Sequence, residues 1–373
     1  MSSASPDSGI GSTASKSALK LRLVQLNAWS GLNYRGWLRL GEHESAAARR
    51  QRRTALLAQL QALAPDVVVL HEINGLPHAA RSLADELGLD VVYYQALAGV
   101  RVGSFGIPVN LREGDLILAR RGLRCRFASR TLVSGGPVGN HAAFHFSDVS
   151  QVLAAELEVS GRRIVVFATH WHSSILLSAP VRDVLAPHAA KHGREAMRRI
   201  EHAAAQGARR RLREAIGTLQ LMRSTAGEDL CVLMGDLNAT PDCPEVALLR
   251  QAGLIDAFAY VHPHAAGYTW DPEANLNQRR CYAPQFAAIL AASSDLSGVA
   301  LAASESEARR IDYVLVGPAY RVRCREIDIA TAEVRFRDPV SGVHASDHFG
   351  LCVEVILSGH REHADSNLLS RAG

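Results

Sequence analysis

Short apolar runs that lie next to a polar residue recur along this chain of 373 residues. Runs of this kind are typical of strands whose two faces are both covered by other elements. Because scaffolds present chemistry at the ends of their strands, we expect these polar residues to converge on one edge of the fold. They lie beside the runs at Asn27, Glu72, His170, Asp236, Asn238, Asp312, Asp347 and His348.

These polar residues share a chemistry that suits phosphate hydrolysis. Carboxylate and amide oxygens are the ligands that hold hard divalent cations such as Mg²⁺. Carboxylates and imidazoles close to such a cation activate water for attack on phosphorus. The pattern therefore predicts a magnesium-dependent phosphoesterase.

Composition sets only loose bounds on this interpretation. Hydrophobic residues make up 47% of the chain and charged residues 21%, as in ordinary soluble globular proteins. The net charge of +4 fits an acidic substrate such as a phosphate ester, and equally fits an arginine-rich protein without one. Six scattered cysteines lack the spacing of a zinc site or a disulfide scaffold, so we expect them to be reduced.

The motifs run through most of the chain without an evident linker, which predicts one catalytic domain over residues 19–358. Residues 1–18 are rich in Ser, Gly and Ala and are predicted to be a disordered tail, and residues 359–373 to be a C-terminal tail. The sequence shows neither a secretory signal nor a membrane-spanning stretch, so we expect a cytoplasmic location. Peripheral membrane contact and the oligomeric state are left open.

Strands and helices alternate at first, and strands then follow one another closely. The opening is strand, helix, strand, helix over 21–26, 46–64, 66–70 and 77–87. Predicted strands of the middle region cover 115–119, 123–133, 142–146, 151–159 and 162–169. A helical zone at 191–226 precedes strands at 230–234, 311–316, 320–332 and 349–357. Strand-rich blocks with interspersed helices predict an α/β protein with a mixed sheet and helices on its outer faces.

The strongest local signal is the segment Gly235-Asp236-Leu237-Asn238-Ala239-Thr240-Pro241. We expect the glycine to allow a sharp exit from the preceding strand, and Asp236 and Asn238 to point to the same side. The carboxylate can then accept a proton from water while the amide donates to a phosphate oxygen. In the alternative interpretation, the two residues only shape a turn before Pro241.

A carboxylate stands next to an imidazole in Ser346-Asp347-His348. Because neighbouring residues seldom bring their side chains together, we pair His348 with Asp312 and leave Asp347 for the metal. A carboxylate partner orients and polarises the imidazole. Each of these residues taken alone is also compatible with an ordinary polar position near a strand end.

Six motifs occur in order over about residues 20–357. They are Leu26-Asn27-Ala28-Trp29, His71-Glu72, Thr169-His170-Trp171-His172, Gly235-Asp236-Leu237-Asn238, Arg310-Ile311-Asp312-Tyr313 and Ser346-Asp347-His348. This ordered set resembles that of the endonuclease/exonuclease/phosphatase superfamily. The resemblance implies an α/β fold, a four-layer sandwich of two packed mixed β-sheets flanked by helices. It also implies a metal-dependent phosphoester hydrolase, most simply a phosphodiesterase.

The resemblance implies that Glu72 is the principal ligand of Mg²⁺, with Mn²⁺ as a substitute. Asn27 and Asp347 would help to hold the ion. The family usually carries Gln immediately before the metal-binding Glu, whereas this chain has His71. The groups around the metal ligand are therefore expected to depart from the family pattern.

The same resemblance assigns the other polar residues to water and phosphate. Asp236 and His348 would handle the attacking water, and the sequence does not fix which of them is the base. Asn238 and His170 would bind the phosphate and its developing charge. Asp312 would hold His348.

The motifs do not fix the substrate. Thr169-His170-Trp171-His172 is similar to the sphingomyelinase version, whereas Tyr268-Thr269-Trp270-Asp271 with Asn275 resembles tyrosyl-DNA phosphodiesterases and several bacterial members. The candidates are a DNA or RNA nuclease, a lipid phosphodiesterase acting on a phospholipid head group, a small phosphate-ester phosphatase and a non-catalytic binding module. The residues predicted to contact the substrate are Trp37, Trp171, His172, Trp270 and Arg310.

The segment at about 173–208 looks like an insertion rich in basic residues, and it continues into Arg209-Arg210-Arg211. A basic helix near the site could recruit a polyanion or an anionic membrane surface. Because Glu195 and Glu201 are interleaved with the basic residues, a solvated helix face is the simpler interpretation.

Overall fold

Two six-stranded sheets form the centre of this computed structural model. The structure describes residues 18–31, 44–102, 105–135, 149–292, 295–318, 320, 322 and 326–358, without the side chains of residues 97–111 and 285. Trp37, the predicted strand at 142–146 and nearly all of the two predicted tails lie outside the described residues.

The strands are described first, in chain order. They are β1 (Leu19–Asn27), β2 (Val67–Asn74), β3 (Leu89–Val102), β4 (Phe105–Arg120), β5 (Arg126–Ser134), β6 (Ser150–Val159), β7 (Arg162–His170), β8 (Leu230–Asp236), β9 (Ile255–Asp256), β10 (Asp312–Gly317), β11 (Ile327–Arg335) and β12 (Gly350–Leu357). One sheet has the order β11-β12-β1-β2-β4-β3, and the other the order β5-β6-β7-β8-β10-β9. Each sheet has a parallel pair near its middle, β1 with β2 and β7 with β8, and its other described pairs are antiparallel.

Several of the described helices cover the outer faces of the two sheets, and the others pack at the edges and ends of the sandwich. They are α1 (Ala46–Leu63), α2 (His78–Leu87), α3 (Ala179–His192), α4 (Arg194–Ala226), α5 (Pro244–Gln251), α6 (Ala257–Val261), α7 (Leu276–Cys281), α8 (Ala283–Ala292) and α9 (Leu296–Glu305). Apolar residues of α1 and α2 pack on β1, β2 and β4, while α4 and α5 pack on β7, β8 and β10. A third apolar cluster joins α3 and α9 to the first part of α4. The predicted four-layer sandwich is confirmed.

Local sequence signals account for several helix ends. Ser45 caps α1 by accepting a hydrogen bond from the Ala48 N–H at 3.2 Å, and Ser178 caps α3 through the Val181 N–H in the same way. Gly88 ends α2 in a left-handed conformation, with φ of 67°. Of these three positions, the helix end at Gly88 was predicted from the sequence, because this capping chemistry is local.

Four predicted elements need correction. The helical zone at 191–226 is two helices that meet at Gly193, and the first of them begins well upstream at residue 179. The strand expected at 320–332 begins only at Ile327, and that expected at 123–133 begins at Arg126. The expected strand at 115–119 is the end of the much longer β4, whose hairpin with β3 was not predicted at all. Among the described strands, the tips of β3 and β4 pair only with each other.

The interior between the sheets changes from apolar to polar at one end. On β1, Leu21 and Leu23 belong to the central core, and Gln25 is the next residue on the same face. The same continuation occurs on the other central strands, and the residues that follow the apolar inner rows are Gln25, His71, Asp115, Gln151, His170, Asp236 and Asp312. We call this end of the sandwich the polar end. It collects side chains from both sheets in one place.

Candidate active site

Asn27 links acidic residues of the two sheets at the polar end. Its Nδ2 donates to Glu72 Oε1 and to Asp236 Oδ2, both at 3.0 Å. Its Oδ1 accepts the backbone N–H of Trp29 at 3.0 Å, which fixes the orientation of the amide. One buried amide therefore holds a carboxylate from each sheet.

Glu72 reaches this position through an irregularity in β2. The register between β2 and β4 shifts between Leu70 and Ile73, and Glu72 itself has φ of 56°. A bulge with a left-handed residue redirects a side chain, and such strain is found mostly where it serves a site. The Ser30 N–H donates to Glu72 Oε2 at 3.1 Å. Burial opposes the carboxylate form, but the His170 charge and the Asn27 hydrogen bond outweigh it and lower the pKa of Glu72.

Asp236 is the last residue of β8, two residues beyond the strand that the sequence predicted, and Asn238 follows it. The Asn238 N–H donates to Asp236 Oδ1 at 3.0 Å, and Asn238 has φ of 47°, so the sharp turn occurs at this residue. Gly235 does not provide the turn and is a correction to the sequence interpretation. A Cβ at Gly235 would lie 2.3 Å from the Thr169 carbonyl oxygen, so glycine is needed because β7 approaches closely.

His170 lies between the two acids and the Asn238 amide. Its Nε2 is 3.2 Å from Asn238 Nδ2, 3.6 Å from Asp236 Oδ2 and 3.9 Å from Glu72 Oε1. Burial disfavours the imidazolium, but Asp236 and Glu72 outweigh that effect and raise the pKa of His170 to about 9. Burial and the Asp312 charge raise the pKa of Asp236.

The pairing of His348 with Asp312 is confirmed as a contact. His348 Nδ1 lies 3.0 Å from Asp312 Oδ2, and Asp312 Oδ1 accepts a hydrogen bond from Gln25 Nε2 at 2.8 Å. Burial works against the charged imidazole, but Asp312 and Asp236 overcome it and raise the pKa of His348 to about 10. His348 Nε2 is 3.8 Å from Asp236 Oδ2, and the ring of Trp270 packs edge-on at 5.0 Å.

Asp347 is held by a residue that the sequence did not reveal. Tyr282, which follows α7, donates its hydroxyl to Asp347 Oδ2 at 3.1 Å, and Ser346 Oγ is 3.2 Å from Asp347 Oδ1. Burial and the nearby Glu72 charge raise the pKa of Asp347 to about 6. Asn277 of the same helix donates to the carbonyl oxygens of His344 and Ser346, at 3.0 and 2.9 Å. The α7 segment therefore anchors the loop that carries Asp347 and His348.

A second buried pair lies beside Glu72. His71 Nδ1 is 2.7 Å from Asp115 Oδ1, and Gln151 donates to Asp115 Oδ2 at 2.6 Å. Glu113 is also buried here, and its desolvation together with the Glu72 charge raises its pKa well above the usual range. The signal for these acids was present, because Glu113 and Asp115 directly precede the apolar end of β4.

The described residues that were predicted to contact the substrate differ in how deeply they are buried. Trp171 is only 1% exposed and packs in the core beneath β7 and β8. Arg310 is buried and donates two hydrogen bonds to Asp256, at 3.1 and 2.8 Å, so it ties β10 to β9. Both side chains pack inside the protein, which corrects the expectation that they face the substrate. Trp270 is nearly buried against His348, and His172 is half-buried at the rim.

The donor set at the polar end fits a hard divalent cation. Asp236, Asp312 and His348 form a buried group whose ligand atoms lie within 4.8 Å of one another and could hold a metal. The Asp312 oxygens, however, already accept hydrogen bonds from Gln25 and His348. Burial and the nearby Glu72 carboxylate instead raise the pKa of Asp347, and a cation relieves repulsion of this kind. Carboxylate and amide oxygens suit Mg²⁺ better than a site built on imidazole.

The sequence matches the endonuclease/exonuclease/phosphatase family over residues 24–348. The chain belongs to this family. Its members are generally metal-dependent phosphoester hydrolases, including nucleases and phosphatases. No curated protein matches the sequence at a significant level.

Solved structures show the same fold at low sequence identity. D. rerio TDP2 complexed with a single-strand DNA product is 18% identical, with a TM-score of 0.55, over 90% of this chain and 98% of that one. An endonuclease/exonuclease/phosphatase from Bacteroides vulgatus is 14% identical, with a TM-score of 0.54, over 91% and 99% of the two chains. The corresponding protein from Beutenbergia cavernae is 18% identical, with a TM-score of 0.52, over 91% and 72%.

Within the described residues, none of the helices combines the length and the apolar character needed to cross a bilayer.

Proposed function

We propose that the protein is a magnesium-dependent phosphodiesterase whose reaction takes place at the polar end. The observation that carries the proposal is the hydrogen-bonded set in which Asn27 joins Glu72 to Asp236 while His348 is held by Asp312. A protein that kept this fold only for binding has no need for a buried carboxylate–imidazole pair, whose burial is costly. The family membership of the chain supports hydrolysis in the same way.

We assign the metal to Glu72 and Asp347, with Mn²⁺ as an alternative ion. Asn27 has its Nδ2 towards Glu72 and Asp236 and its Oδ1 on the Trp29 N–H, so we assign it to holding the carboxylates and not to the ion. When bound, Mg²⁺ polarises the phosphate and neutralises the charge that develops on its oxygens. Glu72 is prepared for this role because its left-handed backbone and the Ser30 N–H fix the carboxylate. Tyr282 fixes Asp347 from the other side.

We assign the attacking water to Asp236. Each of its oxygens accepts one hydrogen bond, from Asn27 or from Asn238, so the carboxylate keeps lone pairs with which to accept a proton. His348 stands next to it, with Nδ1 held by Asp312 and Nε2 directed towards Asp236. The water is thereby oriented for in-line attack, with the imidazole available to donate a hydrogen bond.

His170 and Asn238 are assigned to the phosphate. They lie together on the side of Asp236 away from Asp312, and the raised pKa of His170 keeps a proton on the imidazole near neutral pH. Donors that are fixed before the reaction stabilise charge that develops in the transition state without further reorganisation. Their loss should therefore lower kcat more than it raises KM.

Hydrolysis of bis(p-nitrophenyl) phosphate by single variants tests the proposal. We expect Glu72→Ala, Asp236→Ala and His348→Ala to lose turnover, since each removes a group that no neighbour replaces. Asp328→Ala, on an exposed position of β11, is the matched control and should keep wild-type turnover. Wild-type turnover in any folded variant of the first three would overturn its assigned role.

The nature of the phosphodiester is a finer question. The D. rerio TDP2 structure contains a DNA product, which supports a nuclease as the first candidate to examine. A panel of single- and double-stranded nucleic acids, sphingomyelin and inositol phosphates, each with Mg²⁺, separates the candidates. Cleavage of nucleic acid supports the nuclease, and release of choline phosphate supports the lipid enzyme.

A further inference from the structure

Positive charge is concentrated in α3 and the first two-thirds of α4. Residues 179–213 contain nine Arg or Lys and three Asp or Glu, a net charge of +6, whereas the whole chain carries +4. All other residues together therefore carry −2. A protein with this distribution presents one strongly basic element on an otherwise slightly acidic body.

Five of the seven exposed basic residues of α4 form a line along one face of the helix. They are Arg194, Arg198, His202, Arg209 and Arg213, and all five are exposed. Their spacings of four and seven residues return to the same face of an α-helix after one or two turns. We call these five residues the basic stripe. The opposite face of α4 packs on α3 and α9 in its first part and on the second sheet further along.

Arg182, Arg210 and Arg211 form ion pairs with Glu201, Glu214 and Glu245, so the basic stripe carries most of the charge that is not paired. Arg198 lies 3.9 Å from Glu195, a separation at which an exposed pair contributes little. Among the described residues, no carboxylate forms an ion pair with Arg194, Arg209 or Arg213. The stripe therefore offers guanidinium groups to the solvent.

The basic stripe begins at the rim of the polar end and extends beyond it. Glu214, one residue past the stripe, accepts the N–H of His172 at 2.9 Å and so marks the level of the rim. The other end of α4 leads to the start of β8, at the opposite end of the sandwich. The 20 residues from Arg194 to Arg213 thus form roughly 30 Å of helix on the side of Glu214 away from β8, at about 1.5 Å per residue.

We propose that the basic stripe binds the backbone of a single-stranded nucleic acid that leaves the polar end. The inference rests on the proposed phosphodiesterase function and names the substrate class. Eight of the nine basic residues in 179–213 are arginines, whose planar forks suit phosphate oxygens. An anionic membrane is the poorer partner, because a membrane-surface helix presents large apolar groups beside its charges. Between Arg194 and Arg213, Leu212 is the one large hydrophobic side chain of α4 that is exposed, at 36%.

The test compares two variants that lose the same charge. One carries Arg198→Gln, Arg209→Gln and Arg213→Gln in the basic stripe. The other carries Arg121→Gln, Arg124→Gln and Arg126→Gln, three exposed positions at the far end of the sandwich. Binding of a labelled single-stranded oligonucleotide is followed by fluorescence anisotropy over a range of NaCl concentrations, without divalent metal so that the strand stays intact. Circular dichroism confirms that both variants are folded.

We expect the stripe variant to bind the strand about 100-fold more weakly near ~0.1 M salt and the control variant to bind like wild type. The slope of log K against log salt should fall by about 2, since single strands release about 0.7 counterions per contacted phosphate. Equal effects in both variants, no effect in the stripe variant, or no wild-type binding would each overturn the inference. So would stripe-dependent binding to phosphatidylserine vesicles that exceeds binding to the oligonucleotide. Failure of wild type to hydrolyse any phosphodiester with Mg²⁺ is measured separately and would overturn the proposed function instead.

Discussion

Replacement of Asp312 by Asn should disable His348 while leaving the shape of the site intact. Asp312 is fully buried, and its two oxygens accept from Gln25 at 2.8 Å and from His348 Nδ1 at 3.0 Å. Asparagine keeps one acceptor oxygen and turns the other into a donor, so it cannot satisfy both neighbours. If Gln25 keeps the oxygen, the imidazole must present an unprotonated Nδ1, and it loses the positive charge that Asp312 stabilises.

The magnitude follows from the bond that is lost. A hydrogen bond to a charged group contributes about 1.5–3 kcal/mol. If this contribution is available only when His348 is in its working state, kcat falls about 10- to 150-fold, at 1.36 kcal/mol per factor of ten. Steady-state hydrolysis of bis(p-nitrophenyl) phosphate measures the effect, with Asp328→Asn on β11 as the control. An unchanged kcat in folded Asp312→Asn protein would refute the argument that this pair orients the imidazole.

Three further perturbations have distinct expected outcomes. Tyr282→Phe removes a 3.1 Å hydrogen bond to Asp347 that contributes about 1 kcal/mol. Mg²⁺ binding, measured by calorimetry, should weaken about fivefold, and an unchanged affinity would contradict the anchoring role of Tyr282. Burial lowers the pKa of His344, whose Nδ1 accepts an N–H of α7 at 2.9 Å. The neutral imidazole therefore stabilises the folded protein above the unfolded pKa of about 6.5, and this stabilisation is lost as pH falls. The melting temperatures of wild type and His344→Gln should converge on acidification, and parallel curves would disprove this. Gly235→Ala places a Cβ 2.3 Å from a β7 carbonyl oxygen and should lower the free energy of unfolding by about 1–3 kcal/mol in urea titrations, whereas unchanged stability would mean that the strands can separate there.

The residues of the site could be predicted because strand periodicity puts them in one place. Side chains along a strand alternate between the two faces of the sheet with a period of two. A polar residue two positions beyond the last apolar residue of the inner face must therefore lie at the edge of the core. Asp236 and Asp312 were found in this way, and the incompatibility of adjacent side chains gave the contact between Asp312 and His348. These arguments need only the local backbone geometry.

What could not be predicted depends on contacts between segments distant in sequence. Tyr282 approaches Asp347 across 65 positions, and no local pattern around α7 indicates that contact. Glu72 in its bulge and Asn238 both have a positive φ, which residues other than glycine seldom adopt. Only contacts with the surrounding structure hold them in this conformation. The role of Gly235 was misjudged for the same reason, because its neighbour is a backbone oxygen of another strand.

The buried tryptophan and arginine illustrate a related difficulty. Trp171 and Arg310 stand beside site residues in the sequence, but alternation along a strand turns immediate neighbours to opposite faces. His170 therefore faces the polar end, while Trp171 packs in the apolar cluster between the second sheet and helices α4 and α5. For Arg310, the deciding factor is its partner Asp256, which comes from a different part of the chain.

Metal dependence of hydrolysis tests the central claim most directly. Purified protein is treated with EDTA, assayed on bis(p-nitrophenyl) phosphate, and assayed again after Mg²⁺ is added in excess, with Glu72→Gln protein in parallel. We expect turnover to disappear with EDTA, to return with Mg²⁺, and to stay absent in Glu72→Gln protein at every Mg²⁺ concentration. Undiminished turnover in excess EDTA, or wild-type turnover by the Glu72→Gln protein, would contradict the account.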